Sequence, residues 1–205
     1  VRDQSIEGFL DDLAARTPAP DGGAAACLHA AQAAALLAMV ARYTDGDRHA
    51  EHSEIVGTAL AEAEILRLRA LELAEQDVHT PREVGAARSH PRSTRAEKAA
   101  RRDAIQHALS GAARPSVDTI ALVAEILALA ETLLSVGDRD VIADVAAAAE
   151  AARAAAAIAR VNVEVDLANI EDLGAQVALR EEVAGVDDLL DRAHRLTETV
   201  RATIR

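Results

Sequence analysis

Three groups of residues in this 205-residue chain have the types and spacing to do chemistry. The first is Thr17-Pro18-Ala19-Pro20-Asp21-Gly22-Gly23. Two prolines make a stiff lead-in, and two glycines then allow positive φ or close approach of a ligand. An alanine-rich run from 24 to 41 follows and reads as a helix. Its free N–H groups point back into the loop and suit an anionic or carbonyl-bearing ligand. The second is Asp77, an acid late in a long apolar-patterned segment, which reads either as a surface carboxylate or as one held in a cleft between helices. The third is a basic stretch from 82 to 102. There Arg82, Arg88, Arg92, Arg95, Lys98, Arg101 and Arg102 face only Glu83 and Glu97. It reads either as a solvated face or as a landing strip for an anionic tail. Asp138 and Asp144 are weaker candidates, since a carboxylate near a helix start is favoured anyway.

Other chemistries fit less well. Asp45, Asp47, His49 and His52 look metal-like, but no further ligand follows at a recognised spacing, and no metal is expected. Cys27 lies in the alanine-rich run and reads as a small core residue rather than a nucleophile. It also stands alone, so no intrachain disulfide is expected and a reducing compartment, the cytoplasm, suits the chain.

The elements that must position these residues are helices. Half of the residues are hydrophobic, and Phe9 and Tyr43 are the whole aromatic content. Alanine and leucine dominate, which favours an all-α protein with closely approaching helices. Ser5 can cap a first short helix carrying Ile6, Phe9, Leu10 and Leu13 on one face. A second helix is expected over about 24–43. A third follows from about 50 to 77 or beyond, ended or kinked by Pro81. A fourth is capped at Ser93 or Thr94 and closes near Gly111. A fifth opens at Pro115 and stops at Gly137. A sixth runs from Asp140 through the alanines to 167, and two terminal helices span about 171–183 and 186–203. No linker composition divides residues 1–205, so one antiparallel helical bundle is expected. The net charge of −12 argues against a general nucleic-acid or anionic-membrane binder. The 24–41 run has the length of a membrane span, but His29 and Gln32 interrupt it, and it reads as a buried bundle helix.

The ordered set of landmarks resembles the cyclodeaminase domain of formiminotransferase-cyclodeaminase and the related methenyltetrahydrofolate cyclohydrolases. Those landmarks are Phe9-Leu10, the 17–23 loop, Met39-Val40-Ala41-Arg42-Tyr43-Thr44, Asp77, and His90-Pro91-Arg92 with Glu97-Lys98-Ala99-Ala100-Arg101. They end with Gly137-Asp138, Ala143-Asp144, the alanine run and Asn162-Val163-Glu164-Val165-Asp166-Leu167. The chain departs from the family pattern in several places. Asp21 replaces a loop glycine, Val78-His79 an Ala-Phe pair and Arg92 a lysine. Asp138 and Asp166 replace asparagines, and Ala143 a serine.

The resemblance implies a homodimeric enzyme acting on the one-carbon unit bridging N5 and N10 of tetrahydrofolate. No cofactor beyond the folate substrate is implied. Both substrates of the family are amidinium-like cations that pass through a tetrahedral carbon. Asp77 is then the candidate catalytic carboxylate. Pro20, Asp21, Gly22, Gly23, His79, Arg92, Asp138, Asp144 and Asn162 are the candidate substrate contacts. Within that set, Asp144 would meet the donor edge of a pterin-like ring and Arg92 the glutamate tail. The alanine-rich second and sixth helices would supply dimer packing. Two alternatives stay open: the same fold on another cyclic or amidine-like compound as a cyclase, hydrolase or lyase, or a non-catalytic member.

Overall fold

The computed structural model describes residues 1–44 and 46–204, without the side chains of Asp47, Arg48 and His49. The Asp45, Asp47 and His49 part of the metal-like group therefore lies outside the described residues. No strand occurs among the described residues. Eight α-helices follow one another: α1 Ile6–Ala14, α2 Gly22–Thr44, α3 Ser53–Arg88, α4 Arg95–Ala112, α5 Arg114–Val136, α6 Ile142–Leu167, α7 Leu173–Glu182 and α8 Val186–Thr203.

Helix α2 is the axis of the bundle. It packs most extensively on α3 and α6, and also on α5. Its alanines explain why. Ala24, Ala30, Ala33, Ala34 and Ala41 are fully buried, as are Ala148, Ala152, Ala155, Ala156 and Ala159 of α6. Side chains this small let neighbouring helix axes approach closely on several sides at once. The sequence reading gave these two helices to packing against a second chain; the alanines named here are buried inside the single chain. Larger side chains, among them Leu122, Ile126, Leu127 and Leu133 of α5, fill the remaining core. Helix α8 covers α6 and α5, and α4 lies along α3. Helix α2 has the length and hydropathy of a membrane span, and most of its apolar window is buried in the bundle.

Helices α2 and α6 run antiparallel. Gly22, at the head of α2, lies beside Asn162 and Ile158 near the end of α6. At the other end, the Asp138 N–H, just before α6, donates to the Thr44 hydroxyl (3.0 Å). That hydroxyl donates in turn to the Val40 carbonyl (2.8 Å). The two ends of α2 are roughly 33 Å apart at helical rise.

Local chemistry sets the helix ends. Thr94 caps α4 through a reciprocal capping box with Glu97, which satisfies two otherwise free N–H groups. Two boundaries differ from the sequence expectation. Helix α2 begins at Gly22 rather than after the glycines. The Asp21 carboxylate accepts from the Gly23 N–H (2.9 Å) and its carbonyl accepts from the Ala25 N–H (3.1 Å). An aspartate caps well, so the helix starts at once. Helix α3 does not end at Pro81 but runs on to Arg88. A proline removes the N–H that would have bonded the carbonyl four residues earlier, here Asp77. The Thr80 hydroxyl donates to that same carbonyl (3.0 Å) and offsets the loss.

Close packing around α2 leaves little room for added volume. Ala34→Leu should lower the unfolding free energy by about 1–3 kcal/mol. Ala147→Leu, on the exposed side of α6, should change it by no more than about 0.5 kcal/mol. Urea denaturation of the two variants checks this.

Candidate active site

A cleft of about 460 Å³ opens at the head of α2, a size suited to a small molecule. Its walls are stripes at helical spacing. Asp77, Thr80, Pro81, Val84, Gly85 and Arg88 line it from α3, following i, i+3, i+4, i+7, i+8 and i+11 along one face. Asn162, Val165, Asp166 and Asn169 form the facing stripe, along α6 and just past its end. Pro18 and Asp21 come from the loop, Leu109 and Ala112 from the end of α4, and Ser116 from the first turn of α5. The α3 stripe exists only because that helix continues past Pro81.

Asp77 is 8 % exposed and sits directly on the backbone of Gly23. A Cβ at position 23 would overlap both carboxylate oxygens and the carboxyl carbon of Asp77. No residue but glycine fits there with the carboxyl in this place. Asp21 meets the same glycine: the Gly23 N–H donates to its carboxylate at 2.9 Å. Burial, and then the Asp21 charge, hold the Asp77 carboxyl up at about 7; Asp166 adds to the rise and the Ala24 N–H opposes it. Burial and the Asp21 charge likewise hold Asp166 up at about 6. These are the effects expected of acids withdrawn from water and set near one another. A carboxyl poised near 7 can both give and take a proton at neutral pH.

The structure distributes the candidates named from sequence unevenly. Asp77, Asp21 and Asn162 line the cleft, Gly23 lies beneath Asp77, and Gly22 stands 3.6 Å, measured from an ideal Cβ, from the Asn162 side chain. Pro20 is half-buried in the same loop, where Pro18 is the residue that reaches the cleft. His79 is exposed and does not line the cleft; two residues past Asp77 on a helix is the opposite side. Arg92 is exposed beyond the end of α3, and Arg88 is the cation on the cleft wall.

Asp138 and Asp144 lie at the other end of the bundle. Asp144 precedes Asn162 by 18 positions on the same helix, roughly 27 Å at helical rise. The antiparallel course of α6 brings its end, not its beginning, to the head of α2. Asp166, Asn169, Thr80 and Ser116 were not among the sequence candidates, and Arg88 was one member of the basic stretch. For Asp166 and Asn169 the signal was present, as the i+4 and i+7 neighbours of Asn162. Ser116 had no such signal, because its place depends on the α4–α5 junction.

Cys27 is buried and bonded to the Thr119 hydroxyl, with Sγ and Oγ1 3.2 Å apart. Burial above all pushes its thiol up to about 12, so it is not a nucleophile at neutral pH. No group of three or more His, Cys, Asp or Glu is arranged to hold a metal among the described residues.

Fold and site together define a class: an all-helical bundle whose central helix presents its first turn, and a buried carboxyl lying on it, to a ligand cleft. The profile of formiminotransferase-cyclodeaminase matches residues 5–185. The methenyltetrahydrofolate cyclohydrolase of Methylorubrum extorquens is 32 % identical over 203 residues, covering 98 % of this chain and 96 % of that protein. The crystal structure of formiminotetrahydrofolate cyclodeaminase from Thermotoga maritima superposes with a TM-score of 0.88 at 25 % identity, covering 100 % of this chain and 99 % of that one. The chain belongs to the formiminotransferase-cyclodeaminase family.

A buried acid with a raised pKa binds its proton more tightly folded than unfolded. Its contribution to stability is full below the unfolded value, near 4, and is lost as pH rises toward 7. Asp77→Asn removes that titration. Its unfolding free energy, relative to wild type, should therefore rise between pH 4 and pH 8, as read by urea melts across that range. A constant difference would show that Asp77 is not held protonated.

Proposed function

We propose that this chain is a folate one-carbon enzyme acting at the carbon that bridges N5 and N10 of tetrahydrofolate, and that it works as a methenyltetrahydrofolate cyclohydrolase. The observation that carries the reading is the Asp77 carboxyl, buried on Gly23 in the wall of a small-molecule cleft. Family membership supports the substrate class. The name of the M. extorquens relative, at 32 % identity over nearly the full chain, favours water over an amine as the reacting partner.

The chemistry uses side chains and water. The methenyl group is an amidinium cation, and the Asp21 and Asp166 carboxylates favour its charge in the cleft. Water adds to the methenyl carbon, and the Asp77 carboxylate takes a water proton, leaving a neutral tetrahedral carbon. Asp77 returns that proton to N5 as the carbon–N5 bond breaks. The remaining hydroxyl loses its proton to solvent and becomes the formyl oxygen on N10. One proton is released overall. Asn162 and Asn169 offer amide donors and acceptors to a pterin-like ring, and Arg88 suits the carboxylates of a glutamate tail.

We also propose a homodimer. With the alanine faces used inside the chain, the apolar side chains left over on α3 are Ile55, Ile65 and Leu68, each at least 45 % exposed. Ile55 and Ile65 border grooves shared with Leu129 and Ala128 of α5, a surface a second copy could cover. Sedimentation should give twice the chain mass, and Ile65→Glu should return it to the monomer.

Loss of methenyltetrahydrofolate absorbance above the buffer rate should be catalysed by the protein. Asp77→Asn should lower kcat/KM by about 10²–10⁴-fold with the fold intact by circular dichroism. Gly23→Ala should lower it too, because its Cβ displaces the Asp77 carboxyl. Full activity in Asp77→Asn would overturn the mechanism. Ammonia release from formiminotetrahydrofolate with no methenyl turnover would transfer the assignment to the deaminase reaction.

A further inference from the structure

Asp21 is the residue at which this chain departs from the loop glycine of its family, and it is not a bystander. The Gly23 N–H holds its carboxylate at 2.9 Å, and the Asp77 carboxyl lies against the same residue, where a Cβ would overlap it. Two carboxyl groups thus meet at one point of the first helical turn. Like charges set this close disfavour each other, so one of the pair holds its proton more tightly. Their surroundings decide which. Asp21 is exposed, at the positive end of α2, where a negative charge is favoured. Asp77 is 92 % withdrawn from solvent, as its 8 % exposure gives, where the charged form is disfavoured.

We infer that Asp21 is a positioning residue of the active cleft: held at Gly23 beside Asp77, it forms a carboxyl couple with that residue and acts through it, setting how readily Asp77 gives up its proton. The inference rests on the catalytic reading of Asp77 given above. In turnover the consequence is concrete. At neutral pH the enzyme is divided between the protonated and the ionised form of Asp77. The share with Asp77 ionised accepts the proton of water. Asp21 touches neither reacting atom in this scheme; it sets the balance between the two forms.

The other charged or titratable groups around Asp77 do not replace Asp21. Asp166 faces the cleft from α6 and Arg88 from the end of α3. Cys27 on α2 stays neutral. The α4 and α5 walls contribute Leu109, Ala112 and Ser116, none of which titrates. Among these groups, Asp21 is the one held on Gly23, against which Asp77 lies.

Asp21→Asn tests the inference, because asparagine caps a helix as well as aspartate and removes only the charge. Asp21→Gly is the companion variant. Carboxyl ¹³C NMR of the ligand-free protein reads the Asp77 midpoint, assigned by its loss in Asp77→Asn. That midpoint should lie near 7 in wild type and fall by roughly one unit or more in both variants. The pH profile of kcat/KM for methenyltetrahydrofolate should move down by the same amount, which a purely structural role would not produce. An unmoved Asp77 midpoint in Asp21→Asn, with the helical spectrum and melting temperature preserved, overturns the inference. The two readings fail separately. If the midpoint falls but wild type does not turn over methenyltetrahydrofolate, the couple stands and the folate assignment goes. If turnover is present and the midpoint is unchanged, the folate assignment stands and the couple goes.

Discussion

The structure depends on one close approach, the Asp77 carboxyl lying against the backbone of Gly23 where a Cβ would overlap it. Taking a carboxyl group out of water is costly unless it is hydrogen-bonded or protonated. Here the raised proton affinity of Asp77 is the remedy. It requires the other parts of the molecule to be in place. The first turn of α2 must be helical for its N–H groups to converge, so Asp21 must cap it. Helix α3 must continue beyond Asp77, or the wall of the cleft is missing. The Thr80 hydroxyl makes that possible by taking up the Asp77 carbonyl that Pro81 leaves without a helical donor.

Alanine is the second half of the arrangement. A helix buried on several sides has little space for side chains, and α2 solves this by having almost none on those sides. The same choice in α6 lets the two helices run close and antiparallel. That antiparallel course carries Asn162 and Asp166 to the Gly22 end and leaves Asp144 and Asp138 at the Thr44 end. The direction of α6 against α2 therefore decides which acids of α6 and its approach belong to the cleft.

Much of this was legible in the sequence because it is written in local patterns. The Ser5 and Thr94 caps, Pro115 in the first turn of α5 and the length of α6 through Asn162–Leu167 are all short-range signals, and they match the helices observed. Asp77 was singled out by its place after an apolar stretch, and its burial follows from that place. What was not legible depends on orientation and on compensation. Nothing in the order of residues says which end of α6 meets the head of α2, so Asp144 stood as a candidate beside Asn162. The basic stretch could be seen, but not that Arg88, three turns beyond Asp77 on one face, lines the cleft while Arg92 does not. Pro81 read as a break because the rescue of its missing bond by Thr80 is a tertiary detail of one side chain.

Two carboxylates give the cleft its electrostatic character. Asp21 and Asp166 both line it, and both raise the proton affinity of Asp77. Added negative charge in a half-enclosed space draws in a cation, but it also weakens the nearby acid by making it hold its proton longer. The two effects work together only if the acid is required partly protonated and the ligand is positively charged. An amidinium group opened by water meets both conditions, since it carries the charge at the start and needs a proton on nitrogen at the end. An anionic reacting centre would be repelled by Asp21 and Asp166, and the cation available to it on the wall, Arg88, lies three turns of α3 from Asp77. The placement of charge thus separates the cleft into an acidic floor for the reacting carbon and a basic rim for whatever negative groups trail from it.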